Sequence, residues 1–250
     1  MIQTERISKH IIRATIRRPQ ALNAINFRTI EDFEHLVEKI EKDGDIRVLI
    51  FSGEGENSFV SGGDLKEFHT IIDKQEAIKM SSRMHRLLNR LEHLPCWNIA
   101  FVNGDAYGGG IELMLAFDFR VALNKDIQLG FTQGRFYLSP GWGGLTRLVE
   151  KVGRAKALLW LAKAEIISCQ TALEEGVIEY ILESEKPEQA LLDWVEKLTK
   201  NDRDYIRTLK HGALANNEIR KKTLSAEIEP FSKLWVSTQH IERVSKFLKK

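Results

Sequence analysis

Twice in this chain an apolar run breaks into a glycine-paired loop, and an acid then heads a helical pattern. Val48-Leu-Ile-Phe-Ser52 runs through Gly53, Gly55 and Asn57 to Phe59-Val-Ser-Gly62-Gly63-Asp64-Leu-Lys-Glu-Phe68. Ile99 to Val102 runs into Asn103-Gly-Asp-Ala-Tyr-Gly108-Gly109-Gly110-Ile-Glu112, with a helix-like segment from Glu112 to Phe117. Repeated strand–loop–helix punctuation of this kind restricts the chain to an α/β layering. Glycines at such a junction let the backbone approach a ligand closely and point N–H groups at it. Two junctions in one domain can each direct one N–H at the same carbonyl oxygen. A carboxylate beside that cradle suits an enzyme that stabilises an oxyanion while moving a proton. The competing reading is structural: a glycine turn that packs a helix on a sheet, with Glu112 as a first-turn charge.

The rest of the chain fits the α/β pattern. Ile11 to Ile16, Arg120-Val-Ala-Leu123 and Ile127 to Phe131 read as further strands. Asn26 is the expected N-cap of a helix carrying Phe27, Ile30, Phe33, Leu36, Val37 and Ile40 on one face. Gln75 to Leu94 reads as a long helix that stops before Pro95. Beyond about residue 187 the strand signal disappears. Leu191, Leu192, Val195 and Leu198 recur at helical spacing, then Ile206, Leu209 and Leu214, then Ile241, Val244, Phe247 and Leu248. Such apolar stripes have to pack on something. The division expected is 1–186 as a catalytic core and 187–250 as a helical subdomain.

Composition removes several alternatives. With 250 residues, 43% of them hydrophobic, one sizeable core can form. A net charge of +2 gives no basis for nucleic-acid binding. Cys96 and Cys169 lie far apart without metal-ligand spacing, so reduced buried thiols and a cytoplasmic location are expected. No apolar run has the length of a transmembrane helix, and Met-Ile-Gln-Thr-Glu-Arg has no signal-peptide form. Metal, nucleoside-triphosphate and nicotinamide chemistry lack their motifs, and no cofactor is expected.

Five segments together carry a family resemblance. They are Arg18-Pro-Gln-Ala-Leu-Asn-Ala-Ile25, Ser61-Gly-Gly-Asp-Leu-Lys66, Asn103 to Glu112, Pro140-Gly-Trp-Gly-Gly144 and Ala172-Leu-Glu-Glu-Gly-Val177. Each is weak singly, but in this order and spacing the chain resembles the crotonase superfamily, the enoyl-CoA hydratase/isomerase family, over essentially its whole length. The resemblance implies a crotonase-like (ClpP/crotonase) spiral of ββα units with an α-helical C-terminal subdomain that packs in a homo-oligomer, a trimer or a hexamer. It implies an acyl-CoA substrate, with coenzyme A arriving as part of it. By family position, the N–H groups of Gly63 and Gly109 form the oxyanion hole and Glu112 is the general acid/base. Ala21, Leu22, Ser61, Asp64 and Leu65 would line the coenzyme A groove, with Lys66 and Lys250 near the nucleotide phosphates; both lysines also read as solvated surface.

One departure narrows the chemistry. Enoyl-CoA hydratases grip a water between two glutamates, and the second position, counted back from Pro140, is Gln133. An amide holds a water but does not exchange protons near neutral pH. The leading reading is a single-base hydratase or isomerase using Glu112, with Gln133 positioning water or substrate; the alternatives are a decarboxylase of methylmalonyl- or ethylmalonyl-type thioesters, and hydrolysis or another acyl-CoA transformation. The run Pro140 to Glu150, with Asp118-Phe-Arg120 before it, looks like the ethylmalonyl-CoA decarboxylase branch. A catalytically weak acyl-CoA-binding scaffold is the non-enzymatic alternative. Arg135, Tyr137 and His69 are further candidates for substrate contact; a loop arginine and a lone histidine are also ordinary surface residues.

Overall fold

The computed structural model describes residues 1–214 and 217–249. The chain opens with β1 (Ile2–Arg6) and β2 (Ile11–Ile16), paired antiparallel, followed by α1 (Phe27–Lys42). Asn26 caps α1, its side-chain oxygen accepting the Thr29 N–H at 2.9 Å. The buried stripe Ile30, Phe33, Leu36, Val37 and Ile40 turns inward, and the Phe33 ring stacks on Phe51 at 4.8 Å.

The chain then winds as a spiral in which each turn lays one strand in a large sheet and one in a small sheet. β3 (Val48–Gly53) belongs to the large sheet and β4 (Ser58–Val60) to the small one; α2 (Leu65–Phe68) and α3 (Lys74–Glu92) complete the turn. β5 (Trp97–Val102), β6 (Asp105–Tyr107) and α4 (Gly109–Met114) repeat the pattern. β7 (Phe119–Ala122) and β8 (Gln128–Gly130) repeat it again, followed by α5 (Gly144–Val152) and α6 (Arg154–Lys163). β9 (Ile166–Ser168), α7 (Cys169–Glu174) and β10 (Tyr180–Ile181) close the spiral. The large sheet has the order β1-β2-β3-β5-β7-β10, parallel from β2 onward; the small one has the order β4-β6-β8-β9, with only β9 antiparallel.

β3 is buried at all six positions because helices cover both faces of its sheet. Leu49 and Phe51 face the core beneath α1 and α3, while Val48 and Ile50 face a second cluster with Ile99 and Val121. That second cluster is covered by Leu191 and Val195 of α8 (Pro187–Glu196).

The remaining helices are α9 (Arg203–Ala213), α10 (Asn217–Ser225), α11 (Ile228–Trp235) and α12 (Thr238–Leu248). The buried ammonium of Lys210 anchors α9 to the Asp118 carboxylate at 2.7 Å and to the Cys96 carbonyl at 2.9 Å. Trp235 of α11 donates its indole N–H to the Ile71 carbonyl at 3.0 Å, and His240 Nδ1 of α12 lies 2.7 Å from the Phe136 carbonyl. The tail helices therefore pack on their own chain, and two of them reach segments that border the glycine junctions. Cys96 and Cys169 are buried free thiols. No helix among the described residues is long and apolar enough to cross a membrane.

Candidate active site

The small sheet aligns three loops. β4 and β6 are adjacent and parallel, with Val60 paired to Ala106, and Gly63 and Gly109 each follow three residues later. β8 lies on the other side of β6, and the 3-10 turn Thr132–Phe136 that carries Gln133 follows it. Successive spiral turns thus bring the ends of three parallel strands to one place.

The Gly63 N–H is aimed by its neighbours. Ile25 donates to the Gly62 carbonyl at 2.8 Å and accepts the Asp64 N–H at 2.8 Å, so the intervening Gly63 N–H points away from Ile25. Gly62 has φ +114°, a conformation that side-chain-bearing residues rarely adopt. Gly109 is the first residue of α4, where an N–H has no intrahelical acceptor. The Trp142 ring lies over it so closely that a Cβ at 109 would stand 2.4 Å from the ring.

Glu112, one turn further along α4, is buried at 4% exposure, and every acceptor position on its carboxylate is used. Oε1 accepts the Gly141 N–H at 3.2 Å and Gln133 Nε2 at 3.4 Å. Oε2 accepts the Trp142 N–H at 2.7 Å and the Gly144 N–H at 3.0 Å. The Pro140–Gly144 segment is therefore folded around this carboxylate. Burial, and then the charge of Glu227, push the Glu112 carboxyl up to about 7 against the pull of the backbone N–H groups. Gln133 Oε1 is buried without a hydrogen-bond partner. A 180° turn of the amide would make that oxygen an acceptor for a protonated Glu112.

These groups line a cavity of about 90 Å³ together with the aromatic residues Phe68, Trp142, Phe231 and Trp235. Among its described lining residues Glu112 alone carries an ionisable group with a resolved upward shift, and no lysine, arginine or histidine is present. A larger cleft of about 980 Å³ lies beyond α5, but it contains neither glycine junction.

The positions expected to meet coenzyme A converge on the same edge. Ala21 ends the 3-10 turn Pro19–Ala21, and the Leu22 carbonyl accepts the Ser61 N–H at 3.1 Å. Ser61 and Leu65 line the cavity. The Asp64 carboxylate is otherwise engaged: it pairs with Arg18 at 2.7 Å and caps α2 through the Lys66 N–H at 3.1 Å. Lys66 is exposed, and Lys250 lies outside the described residues. His69, Arg135 and Tyr137 are exposed and do not line the cavity, so they are not brought to Glu112. Arg135 reaches the Ala164 carbonyl at 3.4 Å, and Tyr137 lies beneath the Arg243 guanidinium at 5.1 Å.

Four participants were not singled out from the sequence. Trp142 stood inside a quoted motif, but nothing marked its ring as a wall over Gly109. Phe231 and Trp235, four residues apart, signal one helix face without saying what it covers. Glu227 lies far from Glu112 in sequence and reaches the same helix end only through the fold. Among the described residues no group of three or more His, Cys, Asp or Glu is placed to hold a metal ion.

Comparison with known proteins shows the family and the fold. The family model described as Enoyl-CoA hydratase/isomerase matches residues 6–250. The ethylmalonyl-CoA decarboxylase of Xenopus laevis is 31% identical over 236 residues, spanning 92% of this chain and 78% of that protein. The short-chain-enoyl-CoA hydratase of Clostridium acetobutylicum is 30% identical over 240 residues, spanning 94% and 90%. The crystal structure of an enoyl-CoA hydratase from Bacillus halodurans superposes with a TM-score of 0.89 at 20% identity, covering 98% of this chain and 99% of the other, a likeness of fold.

Proposed function

The chain belongs to the enoyl-CoA hydratase/isomerase family, and we propose that it decarboxylates short malonyl-type coenzyme A thioesters through an enolate. The observation that carries this reading is the isolation of Glu112. Its four acceptor positions are filled by N–H groups, and the residue facing it is an amide, not a second carboxylate. That arrangement is poorly suited to gripping and deprotonating a water. Decarboxylation needs no strong base; it needs an electron sink and a proton donor.

In this mechanism the thioester oxygen accepts the N–H groups of Gly63 and Gly109. The bond from Cα to the carboxylate carbon breaks, CO2 leaves, and its electron pair passes to the thioester oxygen as the enolate forms. Each donor aimed at that oxygen is worth roughly 3 kcal/mol in the transition state. The apolar, cation-free lining favours loss of a charged carboxylate as neutral CO2. The enolate carbon then takes a proton from the Glu112 carboxyl, and solvent restores it. A carboxyl poised at about 7 has both forms available near neutral pH. The small cavity suits acyl groups of a few carbons.

The raised Glu112 carboxyl also supports single-base hydration or isomerisation of an enoyl thioester, the second reading. Mass spectrometry separates the two. Methylmalonyl- and ethylmalonyl-CoA are expected to lose CO2 while crotonyl-CoA is left unchanged. Gain of water on crotonyl-CoA with the malonyl thioesters untouched would reverse the assignment, and silence toward the whole panel would point to an acyl-CoA-binding scaffold. Run in D2O, the reaction should place one deuterium at Cα, and Glu112→Gln should slow that step.

A further inference from the structure

Glu227 stands in the turn between α10 and α11 and is 8% exposed. Its Oε1 accepts the Thr146 N–H at 2.7 Å and the Thr146 hydroxyl at 2.5 Å, and its Oε2 accepts the Leu145 N–H at 3.2 Å. Gly144, Leu145 and Thr146 are the first three residues of α5, and the N–H of Gly144 goes to Glu112. Successive peptide N–H groups at one helix end therefore hold two buried carboxylates from different parts of the chain. Glu112 reaches it from the 90 Å³ cavity and Glu227 from the larger cleft.

The surrounding cations are engaged elsewhere, although the Arg147 charge still pulls against the burial that raises the Glu227 carboxyl. Arg147, on α5 itself, directs its guanidinium to Glu92 of α3 at 2.7 and 3.0 Å and to the Trp142 carbonyl at 3.0 Å. Arg220 of α10 also binds Glu92, at 2.8 and 3.1 Å, and Glu150 at 2.6 and 2.9 Å. His85 of α3 packs behind Gly143, and burial followed by the Arg147 charge depresses it to about 4, so it is neutral. Among the described residues no cation makes an ion pair with Glu112 or Glu227. The positive end of one helix is all that the two carboxylates share.

We infer that Glu227 is a positioning residue for Glu112: its negative charge on the neighbouring N–H groups of α5 keeps Glu112 in its proton-carrying form. Two carboxylates held on successive N–H groups of one helix end titrate as a pair, and the second to ionise does so at higher pH. Burial raises the Glu227 carboxyl too, but the Thr146 hydroxyl and the Arg147 charge favour its ionised form, so on this reading it ionises first. Glu112 keeps its proton to higher pH, as a group that protonates an enolate must. The tail turn between α10 and α11 thereby sets the proton affinity of a group it does not touch. The inference rests on reading Glu112 as the proton donor.

The test is a ¹³C NMR titration of protein labelled at glutamate Cδ, with Glu112→Gln and Glu227→Gln for assignment. In the unmutated protein the Glu112 and Glu227 resonances should each show two linked steps; two independent single-step curves overturn the inference. In Glu227→Gln the Glu112 midpoint should fall by roughly one pH unit or more, whereas Glu227→Asp should leave it close to its original value. Thr146→Val, which removes only the hydroxyl, should move the midpoint the same way by less. An unmoved midpoint in Glu227→Gln rejects the positioning role whatever happens to the rate. Should the midpoint move while no malonyl thioester is consumed, the coupling stands and the decarboxylase reading fails. With turnover present, the pH profile of kcat/KM should shift with the NMR midpoint, which a purely structural Glu227 would not cause.

Discussion

Glu112 and Glu92 are both buried glutamates, at 4% and 8% exposure, and the fold has given them opposite characters. Glu92 receives two arginines, Arg147 and Arg220, each through two hydrogen bonds. Burial alone would raise its carboxyl, but those cations overcome the penalty and hold it at about 2. Glu112 receives only neutral N–H dipoles, with another carboxylate nearby, and rises to about 7. Burial sets the size of the stakes in both places; the formal charge of the partner decides the sign. A permanently ionised glutamate is a structural anchor. One whose proton comes and goes near neutral pH is suited to moving a proton.

Exchanging each for glutamine should separate these roles most sharply. Glu112→Gln is expected to lower turnover roughly 10²- to 10⁴-fold, since an amide does not deliver a proton, while leaving the melting temperature unchanged or higher. Measuring kcat beside a calorimetric melt checks both halves, and an active, destabilised variant would break the comparison. Glu92→Gln should do the reverse. It leaves Arg147 buried without a counter-charge and Arg220 with Glu150 alone, which costs about 3–5 kcal/mol of folding free energy in denaturant titration, with activity per folded molecule largely kept.

The pH dependence of stability should slope in opposite directions at the two sites. Glu112, raised from 4.5 to about 7, binds its proton more tightly when folded. The protein therefore loses roughly 3 kcal/mol from this group as pH climbs from about 4.5 through 7, and Glu112→Gln should remove that loss. Glu92, lowered from 4.5 to about 2, contributes about 3 kcal/mol that is present above pH 4.5 and lost as pH falls toward 2. Glu92→Gln should flatten that acid limb and leave the neutral one. Unfolding curves across pH 3 to 8 read both slopes. The smallest expected effect is that of Arg147→Lys, which keeps the charge but loses the two-pronged geometry: about 1–2 kcal/mol of stability, with the Glu112 midpoint unmoved.

The two glycine junctions were legible because they depend on local backbone. Gly62-Gly63 and Gly108 to Gly110 announce turns that only glycines enter, and each stands at a fixed offset from a strand. The helix of Phe27 to Ile40 and its Asn26 cap were legible for the same reason, as both follow from neighbours three and four residues away. β4, β6, β9 and β10 were not read as strands, and at two or three residues each they are too short to show a period. β1 was missed because four of its five residues are exposed. His69, Arg135 and Tyr137 were near the motifs in sequence and proved to face outward, since proximity along a loop does not set the direction of a side chain.

By itself the sequence determined the α/β alternation, the positions of the two glycine junctions, the family, and the presence of an amide at position 133. Those are written in residue type, spacing and order. The tertiary structure alone decided that the Pro140–Gly144 backbone wraps the Glu112 carboxylate. It alone decided that Phe231 and Trp235 line the cavity from the far end of the chain, and that Glu227 shares a helix terminus with a residue 115 positions earlier. The physical reason is the range of the forces involved. Propensity and turn geometry act over a few residues, whereas desolvation and charge act through space and depend on contacts that exist only once the chain has folded.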